Sequence, residues 1–394
     1  MAYMNEYETK KGKYYKITVS AGINPSTGKQ RQITRRGFKT KKEARAAITQ
    51  IEYELGLGTY VHEASIKFAD FAEEWFKSYK HTIKSSTART RERKMNFLIS
   101  VFGKAKIKDI TKRNYQLFIN QLHEQGYKRN SVVEMHITAR LIFKKAVERK
   151  IIKENPSDNI IFPKEKLTVE DLESTEEKVK YMEKEELTVY LETALEKGLE
   201  SDYEINTFQA YTGMRSGEIA ALKWPDINFD EGTVRITKTL FGEGNHKNYE
   251  LLTPKTKSSI RVIELDPFVL DMLQEYKRKQ NIIKMKHRIE YHDEDFVFAR
   301  LKEHKGYPRS VVSFGARMKR LLRLSGINKD LTPHSLRHTH TSLLAEAGVS
   351  LPEIQERLGH RDDKITTSVY LHTTKTVRNL SAEKFSNLMK SVRK

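Results

Sequence analysis

Leu331-Thr332-Pro333-His334-Ser335-Leu336-Arg337-His338-Thr339-His340 is the most informative stretch of this chain. Thr is a good N-cap and Pro suits the first helical position, so the sequence predicts a helix beginning at Pro333. His334 and Arg337, three apart, then share one face near its N-terminus, where the positive end of the backbone dipole favours an anion. Leu336, Leu343 and Leu344 supply the buried side. A metal reading is open as well, because His334 and His338 stand at i and i+4. The Glu of an HExxH helix is missing, however, and the anion site is preferred.

Upstream, Tyr211-Thr212-Gly213-Met214-Arg215-Ser216-Gly217-Glu218 reads as a Thr-Gly turn followed by a helix, which places Arg215 at a helix start. A three-stranded β run is expected between 233 and 265, with Val234 and Ile236 on one strand, Leu251 near the next, and Val262, Ile263 and Leu265 on the last. Between the second and third strands lies Thr253-Pro254-Lys255-Thr256-Lys257-Ser258-Ser259, a tight turn that holds a lysine outward. Downstream, Ser350-Leu351-Pro352-Glu353 opens a helix with a capping box, Gly359 ends it, and His360 emerges just beyond. Ten residues later stands Tyr370, a residue type that at such a position is usually part of an amphipathic core.

The chain has 394 residues, enough for two or three domains, and 72 Lys+Arg against 52 Asp+Glu give a net charge of +20, which points to a large anionic partner. Apolar residues make up only 38%, yet they recur at regular spacing, so folding is expected. No apolar run exceeds four residues, which excludes a membrane-spanning helix, and the first residues contain no apolar core for export. The absence of cysteine removes thiolate nucleophiles, disulfides and Cys-based metal sites.

The expected fold is multidomain α+β. Residues 1–60 read as a small β-sheet-plus-helix module, with Tyr14, Ile17 and Val19 on one strand, Ile33 on a second, and Asn24 to Gly28 as the reversal. A helix follows, capped by Thr40 and Glu43 and striped with Ala44, Ala47, Ile48, Ile51 and Leu55; Gly56 and Gly58 stop it. This module carries 12 Lys+Arg and 5 acids, with Arg31, Arg35, Arg36, Lys39, Lys41 and Lys42 concentrated on the second strand and helix start. Residues 65–163 read as all-α, with Phe68, Phe71, Ala72, Trp75, Phe76 and Tyr79 in one stripe and further helices near 95, 118 and 140. Residues 164–180 are charge-dense and linker-like. Residues 181–394 read as a mixed, mainly α domain with a small antiparallel sheet, ending in a tail helix over 382–393.

In chain order, Arg215, the turn Lys255, His334-x-x-Arg337, Leu358-Gly359-His360 and Tyr370 resemble the ordered signature of the tyrosine recombinase (phage integrase) family, most closely integrases of Gram-positive phages and conjugative transposons. The resemblance covers nearly the whole chain. It implies that Arg215, Lys255, His334, Arg337, His360 and Tyr370 are the catalytic set; Lys255 is preferred to Lys257 because its Lys-Thr resembles the family's usual motif. It also implies an arm-binding module at 1–60, a core-binding domain at 65–163 and a catalytic domain at 181–394.

What such a set would do follows from phosphodiester chemistry. Charge builds on the non-bridging oxygens during attack, and Arg215 and Arg337 would hold it with forked donors that do not titrate near neutrality. His334 and His360 would complete the cradle or take the phenolic proton, and Tyr370 would be the nucleophile. The resemblance implies a 3′-phosphotyrosyl bond and a free 5′-hydroxyl, with Lys255 protonating the leaving oxygen. It implies no cofactor and no metal, the arginines supplying the charge stabilisation. The implied partners are double-stranded DNA at core and arm attachment sites, a homotetramer exchanging strands through a Holliday junction, and excisionase or DNA-bending accessory proteins, in the bacterial cytoplasm at the nucleoid. Two alternatives share many of these features: a type IB topoisomerase, against which the small amino-terminal module argues, and a DNA-binding regulator with a decayed active site.

Overall fold

The computed structural model describes residues 2–9, 12–23, 28, 30–57, 66–163, 181–242, 246–254, 259–359, 366–371 and 389–390. The chain forms two compact units, residues 1–167 and 168–394. The linker-like stretch at 164–180, most of the expected tail helix, and Lys255, Lys257 and His360 lie outside the described residues.

The first unit begins with an antiparallel meander of β1 (Ala2–Thr9), β2 (Gly12–Ile23) and β3 (Gln30–Phe38). Tyr7 pairs with Tyr14 and Val19 with Ile33. Two strands were expected from the pattern and three are present. In β1 only Ala2, Met4 and Tyr7 are even half-buried, so an edge strand of mostly exposed polar residues gives little alternation to read. Helix α1 (Lys41–Gly56) covers one face of the sheet, burying Ala44 and Ile51 with Ile17, Val19 and Ile33. The Thr40 hydroxyl accepts from the Glu43 N–H at 3.2 Å, a cap worth about 1 kcal/mol. The Glu43 carboxylate reaches back to the Lys39 N–H rather than to that of Thr40. Arg31, Arg35, Arg36, Lys39, Lys41 and Lys42 are all exposed.

Four helices follow in the same unit: α2 (Phe68–Tyr79), α3 (Ser85–Phe102), α4 (Lys112–Glu124) and α5 (Arg129–Glu148). The α2 stripe of Phe68, Phe71, Ala72, Trp75 and Phe76 is buried against Leu98, Tyr115, Phe118, Ile142 and Phe143. Each such aromatic contributes about 1.5–3 kcal/mol relative to exposure. The opposite face of α5 shows Arg140 and Lys144 to solvent.

In the second unit, α6 (Lys184–Lys197), α7 (Asp202–Thr212) and α8 (Ser216–Ala221) precede the strands, and α9 (Pro267–Lys286), α10 (Val311–Leu324), α11 (Pro333–Glu346) and α12 (Leu351–Leu358) follow them. A further helical segment spans 366–371. The single three-stranded run expected between 233 and 265 is two sheets. One has the order β4 (Ile227–Asn228), β5 (Thr233–Ile236), β8 (Arg261–Glu264); the other is a separate hairpin of β6 (Thr239–Gly242) and β7 (Tyr249–Leu252). The strand containing Leu251 therefore pairs with β6 and not with β5, which pairs with β8. The hairpin departs because β6 packs on α8 at Gly217, where a Cβ would collide with the Thr239 hydroxyl.

Candidate active site

The site is built on the carbonyl end of α7. A helix leaves its last carbonyls without intrahelical donors, and here side chains from later in the chain fill them. The Gly213 N–H takes the Gln209 carbonyl at 2.9 Å. His340 Nδ1–H donates to the Ala210 carbonyl at 2.8 Å and Arg357 Nη2 to that of Tyr211 at 3.4 Å. Arg337 Nη1 donates to the Gly213 carbonyl at 2.6 Å. Gly213 has φ +62°, the left-handed conformation that glycine adopts at little cost, and a Cβ there would stand 2.6 Å from His340 Cδ2 and 2.7 Å from Leu358 Cδ2.

Two residues past that turn, Arg215 is the N-cap of α8, as the sequence predicts. Its backbone N–H and its Nη1 both donate to Glu218, at 3.0 and 2.8 Å, and its side chain remains 35% exposed. Glu218 is 4% exposed and is held from the other side by Arg261. Burial pushes the Glu218 carboxyl up, but the hydrogen bonds and charge of Arg261, with Arg215 adding to them, outweigh this and keep it below its ordinary range. Arg261 Nε also donates to the Arg357 carbonyl at 2.9 Å.

Helix α11 begins at Pro333 with Thr332 as its cap, as expected. Its buried face is more polar than the leucines implied: Leu336 is fully buried and Leu343 and Leu344 only half-buried, whereas Ser335, Arg337, Thr339, His340, Thr341 and Ser342 are inside. Arg337 is 1% exposed, with Nη1 on Gly213 and Nη2 on the Leu358 carbonyl at 2.6 Å. A guanidinium carries five N–H donors, so these two bonds use part of its capacity while fixing its plane. His334 is exposed, its ring edge-on to that of the half-buried His338 with centroids 4.8 Å apart.

Helix α12 opens on the Ser350–Glu353 capping box and closes on Gly359 at φ +71°, as the sequence predicts. Tyr370, in the segment 366–371, is half-buried and packs against Ala345, Ile354 and Leu358. Leu358 thus belongs to the apolar cluster on which Tyr370 packs, and its carbonyl accepts from Arg337. Of the six residues singled out from sequence, Arg215, His334, Arg337 and Tyr370 are described; Lys255 and His360 are not. Arg215 and Arg337 meet through the Gly213 turn. Among the described residues, no group of three His, Asp or Glu is arranged to hold a metal ion, and no helix is long and apolar enough to cross a membrane.

Four residues of this cluster escaped the sequence reading: Glu218, Arg261, His340 and Arg357. Glu218 sits three residues after the Arg215 cap, the capping-box position. Arg261 shares strand phase with the buried Ile263, while Val262 between them is 59% exposed. His340 lies three after Arg337 on the same helix face.

The chain matches the phage integrase family over residues 180–376, the N-terminal SAM-like domain of phage integrases over 67–123, and an arm DNA-binding domain over 5–55. It is 33% identical over 321 residues to the "Prophage ps2 probable integrase" of Lactococcus lactis, covering 80% of this chain and 82% of that one. Among solved structures, the Tn1549 transposon integrase in complex with a circular intermediate DNA superposes with a TM-score of 0.62 at 21% identity, over 82% of this chain and all of that chain. A lambda integrase tetramer bound to a Holliday junction gives 0.55 at 19%, over 93% and 94%. These two similarities speak for the fold. With one family match spanning half the chain and a relative one-third identical over most of both proteins, the chain belongs to the phage integrase family, the site-specific tyrosine recombinases.

Proposed function

We propose that this integrase cleaves and rejoins DNA through a covalent bond between Tyr370 and a 3′-phosphate, integrating and excising a mobile element by way of a Holliday junction. The observation that carries this reading is the meeting of Arg215 and Arg337 at the Gly213 turn, with Tyr370 packed on the cluster of Ala345, Ile354 and Leu358, whose Leu358 carbonyl accepts from Arg337. Two guanidinium groups fixed before reaction stabilise the charge that develops on the non-bridging oxygens. Tyr370 attacks phosphorus and the 5′-oxygen leaves with a proton from Lys255. His334 and His360 donate to the same oxygens or receive the phenolic proton. The phosphodiester energy is kept in the phosphotyrosyl bond, so a second 5′-hydroxyl reverses the step without a nucleotide cofactor.

Residues 1–60 would hold arm-type sites, 65–163 would clamp the core site and 181–394 would perform the chemistry, with 164–180 joining them. The exposed cations of β3 and α1 support the first assignment. Joining two duplexes takes four cuts and each site makes one, so the working form is a tetramer on paired sites. The tetrameric lambda integrase on a Holliday junction supports that reading. Accessory DNA-bending or excisionase proteins would set direction, in the bacterial cytoplasm.

The deciding experiment is a nicked duplex that loses its 5′ fragment after cleavage, incubated in EDTA. Protein covalently attached to DNA is expected with the native chain and not with Tyr370→Phe. An adduct that survives the substitution, or that forms only with a divalent ion, overturns the assignment.

A further inference from the structure

His340 and Arg357 lie inside the cluster, and their hydrogen bonds go to carbonyls and to each other. His340 is 5% exposed, and its two ring nitrogens have opposite partners: the Ala210 carbonyl takes a proton from Nδ1, and Arg357 Nε donates to Nε2 at 3.3 Å. A carbonyl only accepts and an arginine only donates, so the ring is held in one neutral tautomer. Arg357 in turn donates through Nη2 to the Tyr211 and Glu264 carbonyls, and its own carbonyl accepts from Arg261. Arg357 therefore reaches Arg215 from both directions along the chain: through the end of α7 upstream, and through Arg261 and Glu218 downstream.

We propose that His340 and Arg357 are positioning residues for Arg215, fixing the carbonyl end of α7 against α11 and α12 so that the Gly213-Met214 turn delivers the guanidinium to one place. The inference rests on the reading of Arg215 as a group that binds the scissile phosphate. The turn has little slack, since His340 and Leu358 leave no room even for a Cβ at Gly213, so a change at residue 340 passes directly to residues 213–215. Displacements of about 1 Å in a preorganised site cost on the order of a hundredfold in rate.

The test compares single-turnover adduct formation on the nicked duplex with DNA affinity and melting temperature. His340→Phe keeps a ring and removes both hydrogen bonds; His340→Asn keeps an amide N–H for the Ala210 carbonyl. Expected is a loss of about tenfold to a hundredfold for His340→Phe with unchanged Kd for DNA, and partial recovery in His340→Asn. The discriminating readout is a methylphosphonate at the scissile position, which removes one non-bridging oxygen and the ground-state charge and so leaves less charge for Arg215 to hold: the defect should shrink on it. A defect of equal size on both substrates, or wild-type rates in His340→Phe, overturns the proposal. Should His340→Phe not fold, His340→Asn carries the same comparison. If the unaltered protein forms no adduct on either substrate, the recombinase reading fails, which is a separate result.

Discussion

Arg261 and Glu218 form a forked ion pair, Nη2 to Oε2 at 2.9 Å and Nη1 to Oε1 at 3.3 Å, with neither side chain more than 6% exposed. The carboxylate is shared, because Arg215 holds it as well. Removing one partner of such a pair leaves a buried charge short of compensation, at a cost of about 3–5 kcal/mol. Arg261→Met should therefore lower the urea midpoint sharply. It should also slow adduct formation under conditions where the variant is fully folded, because Glu218 then rests on Arg215 alone. Wild-type stability in Arg261→Met would show that the pair contributes nothing net.

Gly213→Ala is expected to damage stability and cleavage together. Its φ of +62° strains any L-residue, and the added methyl would stand 2.6 Å from the His340 ring. Overpacking of this kind costs about 1–3 kcal/mol. Thermal melting measures the first effect and single-turnover adduct formation the second; a variant that melts normally and cleaves normally would mean the turn yields without moving Arg215.

Acid stability should depend on residue 340. Burial, reinforced by the charge of Arg357, pushes the His340 imidazole down to about 3. In the unfolded chain a histidine titrates near 6.5. Between these values the unfolded state binds the extra proton, so the stabilisation is fully present above about pH 6.5 and is lost as pH falls toward 3. Glu218, held below its ordinary range, adds a loss in the same direction that begins as pH falls through the ordinary carboxylate range, about 4.5. The slope of unfolding free energy against pH over that upper window, measured by urea titration, should flatten in His340→Phe. An unchanged slope would show that His340 is not the group responsible.

Local rules carried the sequence reading where the chain's own neighbours decide conformation. The caps at Thr40, Thr332 and Ser350, the glycine end of α12 and the helix start at Arg215 are all contacts between residues three or four apart, and all are legible. The reading failed where distant segments decide. That β5 pairs with β8 rather than with β7 depends on packing between β6 and α8, a relation no window of sequence displays. The polar inside of α11 was hidden for the same reason, since Arg337, His340 and Thr339 are buried by carbonyls and an N–H supplied from residues 182, 210, 213 and 358. Periodicity treats such side chains as solvent-facing, yet here they are the core of the site.

The assignment of the general acid concerns the segment of sequence between β7 and β8, which carries both Lys255 and Lys257. A departing 5′-alkoxide is a poor leaving group without a proton, and general acid catalysis contributes about a hundredfold to ten-thousandfold in such steps. Replacing the bridging 5′-oxygen by sulfur gives a thiolate that leaves unaided. Lys255→Ala should therefore slow cleavage of the ordinary duplex by a factor in that range and leave cleavage of the 5′-phosphorothiolate close to that of the native protein, whereas Lys257→Ala should behave like the native protein on both. If Lys257→Ala shows the oxygen-specific defect, the roles of the two lysines are exchanged. If Lys255→Ala is equally slow on oxygen and sulfur, its lysine acts on phosphate charge and the leaving oxygen takes its proton from another group.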